Sequence, residues 1–168
     1  ANWGKLQEVR EAIVDFRRSG KKATAFLEYG GDREYFVATG CDRIFLLPTS
    51  PLDVSGIASY DLFLRGTLDK IGAQPDFARI GDYKTAPNTF TEERMTPAHR
   101  EATQALIDDL YNAVIEGIAA NRKLAVEKVK DILDRSPLPQ EEYVKAGLLD
   151  SLGYEDDVKL ARSMPELD

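Results

Sequence analysis

The sequence is poor in the residues on which much enzyme chemistry rests. It holds one cysteine, Cys41, and one histidine, His99. A single thiol excludes an internal disulfide. Its setting, Ala38-Thr39-Gly40-Cys41-Asp42, reads as a small buried side chain rather than a nucleophile. One histidine leaves a histidine-based metal cluster without members, and a Ser-His-Asp triad would rest on His99 alone. His99 falls in the first turn of a predicted helix, Pro97-Ala98-His99-Arg100, where an exposed side chain is expected. No apolar run is long enough to cross a bilayer. The opening Ala1-Asn2-Trp3-Gly4-Lys5 leads into a charged amphipathic stretch, so no signal peptide is expected there. Gly30-Gly31-Asp32-Arg33 lacks both the Walker lysine spacing and the dinucleotide glycine pattern. Basic residues are outnumbered, 22 against 29 acidic, for a net charge of −7. That balance argues against sequence-independent binding to nucleic acid. The basic cluster Arg17, Arg18, Lys21 and Lys22 flanks a helix end, and the acid pairs Asp108-Asp109 and Asp156-Asp157 read as solvated faces. No motif calls for a cofactor or a metal.

What is present suits one folded domain over residues 1–168: 43% of the residues are hydrophobic and 30% charged. Leu6, Val9, Ile13 and Phe16 recur at helical spacing, and Ser19-Gly20 stops that helix. Short strands are expected at 23–27 and 44–47, with a helix at 34–39 between them and an extended segment at 52–57. A helix over 62–71 ends at Gly72, and a third strand is expected at 77–80. The longest helix runs from about Pro97 to Asn121, with Thr96-Pro97 as its cap and first residue. Leu106, Leu110, Val114, Ile115 and Ile118 stripe one face of it as core. Shorter helices follow at 126–133, 140–146 and 154–163. Strands alternating with helices place the chain in the α/β class. The pattern opens on a helix where a complete α/β layer would have a strand, so a longer protein is expected.

Lys84 is the residue with chemical promise. It follows a strand-like run and a glycine in Arg79-Ile80-Gly81-Asp82-Tyr83-Lys84-Thr85-Ala86. A lysine at a strand exit, between an aromatic and small residues, can be partly desolvated, and a neutral amine can take a proton from a serine.

At this stretch the sequence resembles the signal peptide peptidase A family, also called protease IV, which are membrane-anchored Ser-Lys proteases. Gly81-x-Tyr83-Lys84-Thr85-Ala86 is similar to the family's Gly-x-Tyr-Lys-Ser-Ala motif. Phe90, Met95-Thr96-Pro97 and Arg100-Glu101 continue the likeness, as do Ile118-Ala119-Ala120-Asn121-Arg122, Leu68-Asp69-Lys70-Ile71-Gly72 and Gly147-Leu148-Leu149-Asp150. The opening Trp3-Gly4-Lys5-Leu6-Gln7-Glu8, with Ser19-Gly20-Lys21, fits too, so the ordered set covers nearly the whole chain.

The resemblance implies a Clp-protease/crotonase-like fold, here an incomplete repeat lacking its first strand and the oxyanion-hole glycine that follows it. It implies Lys84 as the general base. It also implies that Val54, Ser55 and Gly56 line a substrate groove, where an extended peptide can add as a strand. Thr85 is placed beside the base as a loop hydroxyl. The sequence departs from the family at the nucleophile. Tyr35 to Phe45 match the stretch after the family's serine, and the serine position falls on or near Asp32. In long family members two homologous halves share the work, the first supplying the lysine and the second the serine. This chain resembles the first half, and is expected to hydrolyse nothing alone. The alternative is a catalytically inactive member that serves as an oligomeric scaffold. A crotonase-type acyl-CoA enzyme would need an adenine pocket and two oxyanion amides, for which no sequence sign exists. The resemblance further implies peptide substrates derived from membranes, chiefly signal peptides. It implies assembly into homo-oligomers together with a serine-bearing homologous domain, and a place on the extracytoplasmic side of the bacterial inner membrane. Any membrane contact would come through segments outside this chain.

Overall fold

The computed structural model describes residues 3–163. In chain order the elements are α1 (Trp3–Arg18), β1 (Thr24–Leu27), β2 (Gly30–Gly31), α2 (Asp32–Ala38), β3 (Arg43–Leu46) and β4 (Leu52–Asp53). Then come α3 (Arg65–Lys70), α4 (Asn88–Thr91), α5 (Pro97–Arg122), α6 (Val126–Asp134), α7 (Gln140–Ala146), β5 (Ser151–Leu152) and α8 (Glu155–Ser163). They divide into two compact units. One takes Ala1–Gly56 and Asn112–Asp168, and the other Ile57–Tyr111.

The first unit is mixed α/β with parallel pairing throughout. β3 lies between β1 and β5, with Phe26 opposite Phe45 and Leu46 opposite Leu152. The apolar run Ile44-Phe45-Leu46 is buried because it is the middle strand, covered on both faces. β2 pairs with β4 in a separate short ladder. Gly30 permits that approach, since a Cβ there would lie 2.5 Å from a methyl of Leu52. The core is Ile44, Leu46, Ile115, Ile118, Ile132 and Leu148, all under 2% exposed. Burying each such side chain contributes roughly 1.5–3 kcal/mol.

Helix α1 stops where Ser19-Gly20 predicts, with Gly20 left-handed at φ 83°. Its apolar stripe is only half covered, and Val9 and Phe16 remain exposed. Polar reach fastens it instead. Arg10 donates to Thr39 Oγ1 at 2.9 Å and to the Gly117 carbonyl at 3.1 Å, and Arg17 pairs with Asp42 at 3.0 Å. Near β3 the Asp150 carboxylate accepts the Ile44 N–H at 2.7 Å and the Arg122 guanidinium at 2.8 Å. Tyr35 donates its buried hydroxyl to the Leu148 carbonyl at 2.6 Å.

The second unit contains no strand among its described residues. The strand expected at 77–80 does not form. No neighbouring strand pairs with it, Phe77 stacks on Phe90 at 5.8 Å, and Ile80 is exposed. The helix expected over 62–71 starts only at Arg65 and stops before Gly72, which is left-handed at φ 70°. Leu106 is 60% exposed, so the stripe on α5 is core only from Val114 onward. The strand β5 was not expected from the sequence. It is two residues long and carries no alternating pattern.

Asp150→Ala should lower stability by about 2 kcal/mol, because the buried Ile44 N–H and the Arg122 guanidinium each lose an acceptor. Urea titration would show a lower midpoint at unchanged slope. Asp150→Asn keeps one acceptor and should lose about half as much.

Candidate functional site

The loop bearing Lys84 lies in the second unit and is shaped at three points. Gly81 takes a left-handed conformation, φ 85°, and its carbonyl accepts the Lys84 N–H at 3.3 Å. Lys84 is the fourth residue of that turn, following its apex at Asp82-Tyr83. Arg79 Nη1 donates to Asn88 Oδ1 at 2.6 Å, joining residues nine apart and closing the loop at its base. Tyr83 donates its hydroxyl to Glu101 Oε2 on α5 at 2.9 Å. The hydrogen bond to Glu101, and then its charge, push the Tyr83 phenol up, so it stays a donor at neutral pH. Lys84 itself is exposed, and Thr85 beside it is half-buried. The partial desolvation expected of a strand exit is therefore not provided by a strand.

His99 is not the exposed side chain expected. It is 12% exposed, edge-on to Phe63 at 6.0 Å, with Asn88 at 3.5 Å and Asp61 at 3.7 Å. The cap at Thr96 forms as the sequence predicts, its hydroxyl accepting the His99 N–H at 3.2 Å. Sequence reasoning missed Arg79 and Asn88 altogether. The only signal available was that they bracket the Lys84 motif.

The remaining candidates lie in the first unit. Val54 is fully buried, Ser55 is exposed with its hydroxyl donating to Asp53 Oδ1 at 2.9 Å, and Gly56 turns the chain at φ 107°. Extended pairing thus covers Leu52 and Asp53 only, short of the segment expected over 52–57. Asp32 opens α2, and its Oδ1 accepts the Gly56 N–H at 3.2 Å. The structure brings these two together across the β4 exit. Burial pushes the Asp32 carboxyl up, the Gly56 bond opposes that, and Asp53 and Glu34 add to it. Cys41 is buried, and burial pushes its thiol up, in keeping with a structural cysteine. Asp108, Asp109, Asp156 and Asp157 are solvated, as expected. Among the described residues no cluster of three or more His, Cys, Asp or Glu is arranged to hold a metal. Among those residues, too, no helix is long and apolar enough to cross a membrane.

The sequence profile of peptidase family S49 matches residues 15–166. The chain is 28% identical over 156 residues to "Serine protease SPPA, chloroplastic" of Arabidopsis thaliana, covering 93% of this chain and 23% of that protein. It is 30% identical over 124 residues to "Protease 4" of Salmonella typhi, covering 74% of this chain and 20% of that protein. The chain thus spans less than a quarter of either relative's length. The crystal structure of a peptidase from Plasmodium falciparum superposes with a TM-score of 0.50 at 16% identity, over 92% of this chain and 69% of that one. That likeness concerns the fold.

Asp32→Asn should raise stability at pH 7, because it keeps an acceptor for Gly56 and removes a charge that burial disfavours. A carboxyl raised in the folded state costs nothing once it is protonated in both states. The gain should therefore vanish as pH falls below the ordinary carboxyl range, about 4. Thermal melts of both proteins across pH 3–8 check this.

Proposed function

The chain belongs to peptidase family S49, and on that footing we propose that it is the lysine-bearing half of a Ser-Lys serine peptidase. Lys84 is the general base, and the nucleophilic serine comes from another domain. The observation that carries this reading is the construction of the Lys84 loop, anchored at its base and at Tyr83 while Lys84 stands exposed. An ammonium group has no lone pair to accept a proton, and lysine becomes a base where apolar cover disfavours the charge. The serine-bearing domain, closing over the exposed lysine, supplies that cover. Residues 1–168 act as one protease-family domain of a longer protein.

Asp32 supports the division of labour. It stands where the family resemblance places the serine, and its carboxylate is occupied by Gly56. A carboxylate at that point gives no serine alkoxide, so this chain alone hydrolyses no peptide. In the complete protein the serine Oγ attacks the peptide carbonyl carbon as its proton passes to Lys84 Nζ. The carbonyl electron pair moves to oxygen and then returns, expelling the amine, which takes the proton from Lys84. Water gives a proton to the neutral Lys84 Nζ as it attacks the acyl ester, and the serine leaves with that proton.

The fold on this reading is Clp-protease/crotonase-like, and the parallel β1–β3–β5 sheet supports it. The substrates are signal peptides or other membrane-derived peptides, met on the extracytoplasmic side of the bacterial inner membrane. The chain works within a homo-oligomer and needs no cofactor. At the groove, with Val54 buried, a peptide would meet the exposed Ser55 and the backbone around Gly56. A second reading, an inactive scaffold, is favoured by the same Asp32.

A serine-directed acylating probe, applied to the full-length protein and followed by intact mass, separates the two. Labelling of the wild type with a loss of about 10²–10⁴-fold in rate for Lys84→Ala is the expected result. Equal labelling removes Lys84 from the chemistry. No labelling of either, while a known Ser-Lys protease labels in parallel, leaves the scaffold.

A further inference from the structure

We infer that Asn88 is a positioning residue for Lys84, closing the loop that carries it and coupling that closure to the neutral form of His99. The inference rests on the reading of Lys84 as the base. Asn88 is fully buried, and a buried amide is retained where both its ends are satisfied. Arg79 can only donate, so the amide atom 2.6 Å from it is the oxygen. The amide nitrogen then faces His99 Nδ1 at 3.5 Å. That nitrogen also can only donate, so Nδ1 must offer its lone pair and the ring proton sits on Nε2. Nε2 points to Asp61 Oδ1 at 3.7 Å. The donor and acceptor directions from Arg79 through Asn88 to His99 Nδ1 are therefore fixed by the cation at one end, with the Asp61 carboxylate near the far side of the ring.

The backbone places this series at the root of the Lys84 loop. The Asn88 N–H donates to the Thr85 carbonyl at 2.9 Å, one residue past Lys84. Arg79, at the other end of the loop, is held also by Glu92 at 3.9 Å. Withdrawing the Asn88 side chain removes the bond that closes the loop and leaves Arg79 with the longer Glu92 contact. A proton added to His99 Nδ1 sets donor against donor at Asn88. The charged groups facing the ring are Asp61, directly, and Arg79 with Glu92 through Asn88. Asp61 can hold an imidazolium, so the ring can charge while the Asn88 contact opens. Closure of the loop thus requires His99 neutral, and the base requires Lys84 neutral. Labelling of the serine then depends on two deprotonations.

The test measures the rate of labelling by the serine-directed acylating probe as a function of pH, on the full-length protein. Asn88→Ala should label about 10²-fold more slowly, the effect of a base misplaced by about an ångström. Arg79→Lys, which keeps a donor toward Asn88, should lose less than Arg79→Ala. The acid limb of the wild type should fall with a two-proton slope. In His99→Gln, whose amide oxygen accepts from Asn88 at every pH, it should fall with a one-proton slope. If Asn88→Ala does not fold, the arginine pair and the slope decide. Lys84→Ala runs beside them. Loss of labelling there, with Asn88→Ala at the wild-type rate or a one-proton slope in the wild type, overturns the inference and leaves Lys84 as the base. Undiminished labelling of Lys84→Ala overturns both.

Discussion

The Asp150 carboxylate ties together three stretches of the first unit that are far apart in sequence. It takes the N–H of Ile44 in the middle strand and the guanidinium of Arg122 at the end of α5, while standing just before β5. Arg122 reaches back in turn to the Gly147 carbonyl at 2.7 Å. Such links matter because the ladders are short. β1 and β3 are four residues long, and β2, β4 and β5 two each. Few ladder bonds are available, so side chains reaching to distant backbone complete the framework: Tyr35 to Leu148, Arg10 to Gly117 and Arg17 to Gly40. Each satisfies a carbonyl that a longer strand or a cap would otherwise serve.

The second unit carries the same device further. With no strand among its described residues, its order comes from short helices, the N-terminal turns of α5 and polar side chains. The Arg79–Asn88 bond closes the Lys84 loop, and the Tyr83–Glu101 bond steadies its shoulder. The loop beneath Lys84 is tied at both points while the lysine itself stays exposed. That combination suits a base whose cover arrives with another domain, since the geometry is set first and the low dielectric second.

Much of the fold was legible in the sequence where local chemistry decides it. The glycines that end α1 and α3 do so because only they enter the left-handed region without strain, and Thr96-Pro97 starts α5 by its own geometry. The boundaries of α7 match the expectation at both ends. Where a partner far along the chain decides, the sequence was silent or misleading. Phe77 to Ile80 has strand composition and no strand to pair with. Leu106 continues the apolar period of α5 and meets water. His99 is drawn in by Asn88, Phe63 and Asp61, none of them near it in sequence. Lys84, the proposed base, is singled out in the sequence by its local setting and by the ordered motif around it. Asn88 and Arg79, which shape its loop, left no trace beyond flanking it.

The position of the Lys84 amine in the complete protein decides whether it is the base. A structure of the full-length protein, with its serine acylated by an inhibitor, measures this directly. Lys84 Nζ should lie within hydrogen-bond reach of that serine's oxygen, about 2.6–3.2 Å, and be shielded from water by the domain that supplies the serine. An acylated serine with Lys84 still exposed, and another group in the base's place, would contradict that role.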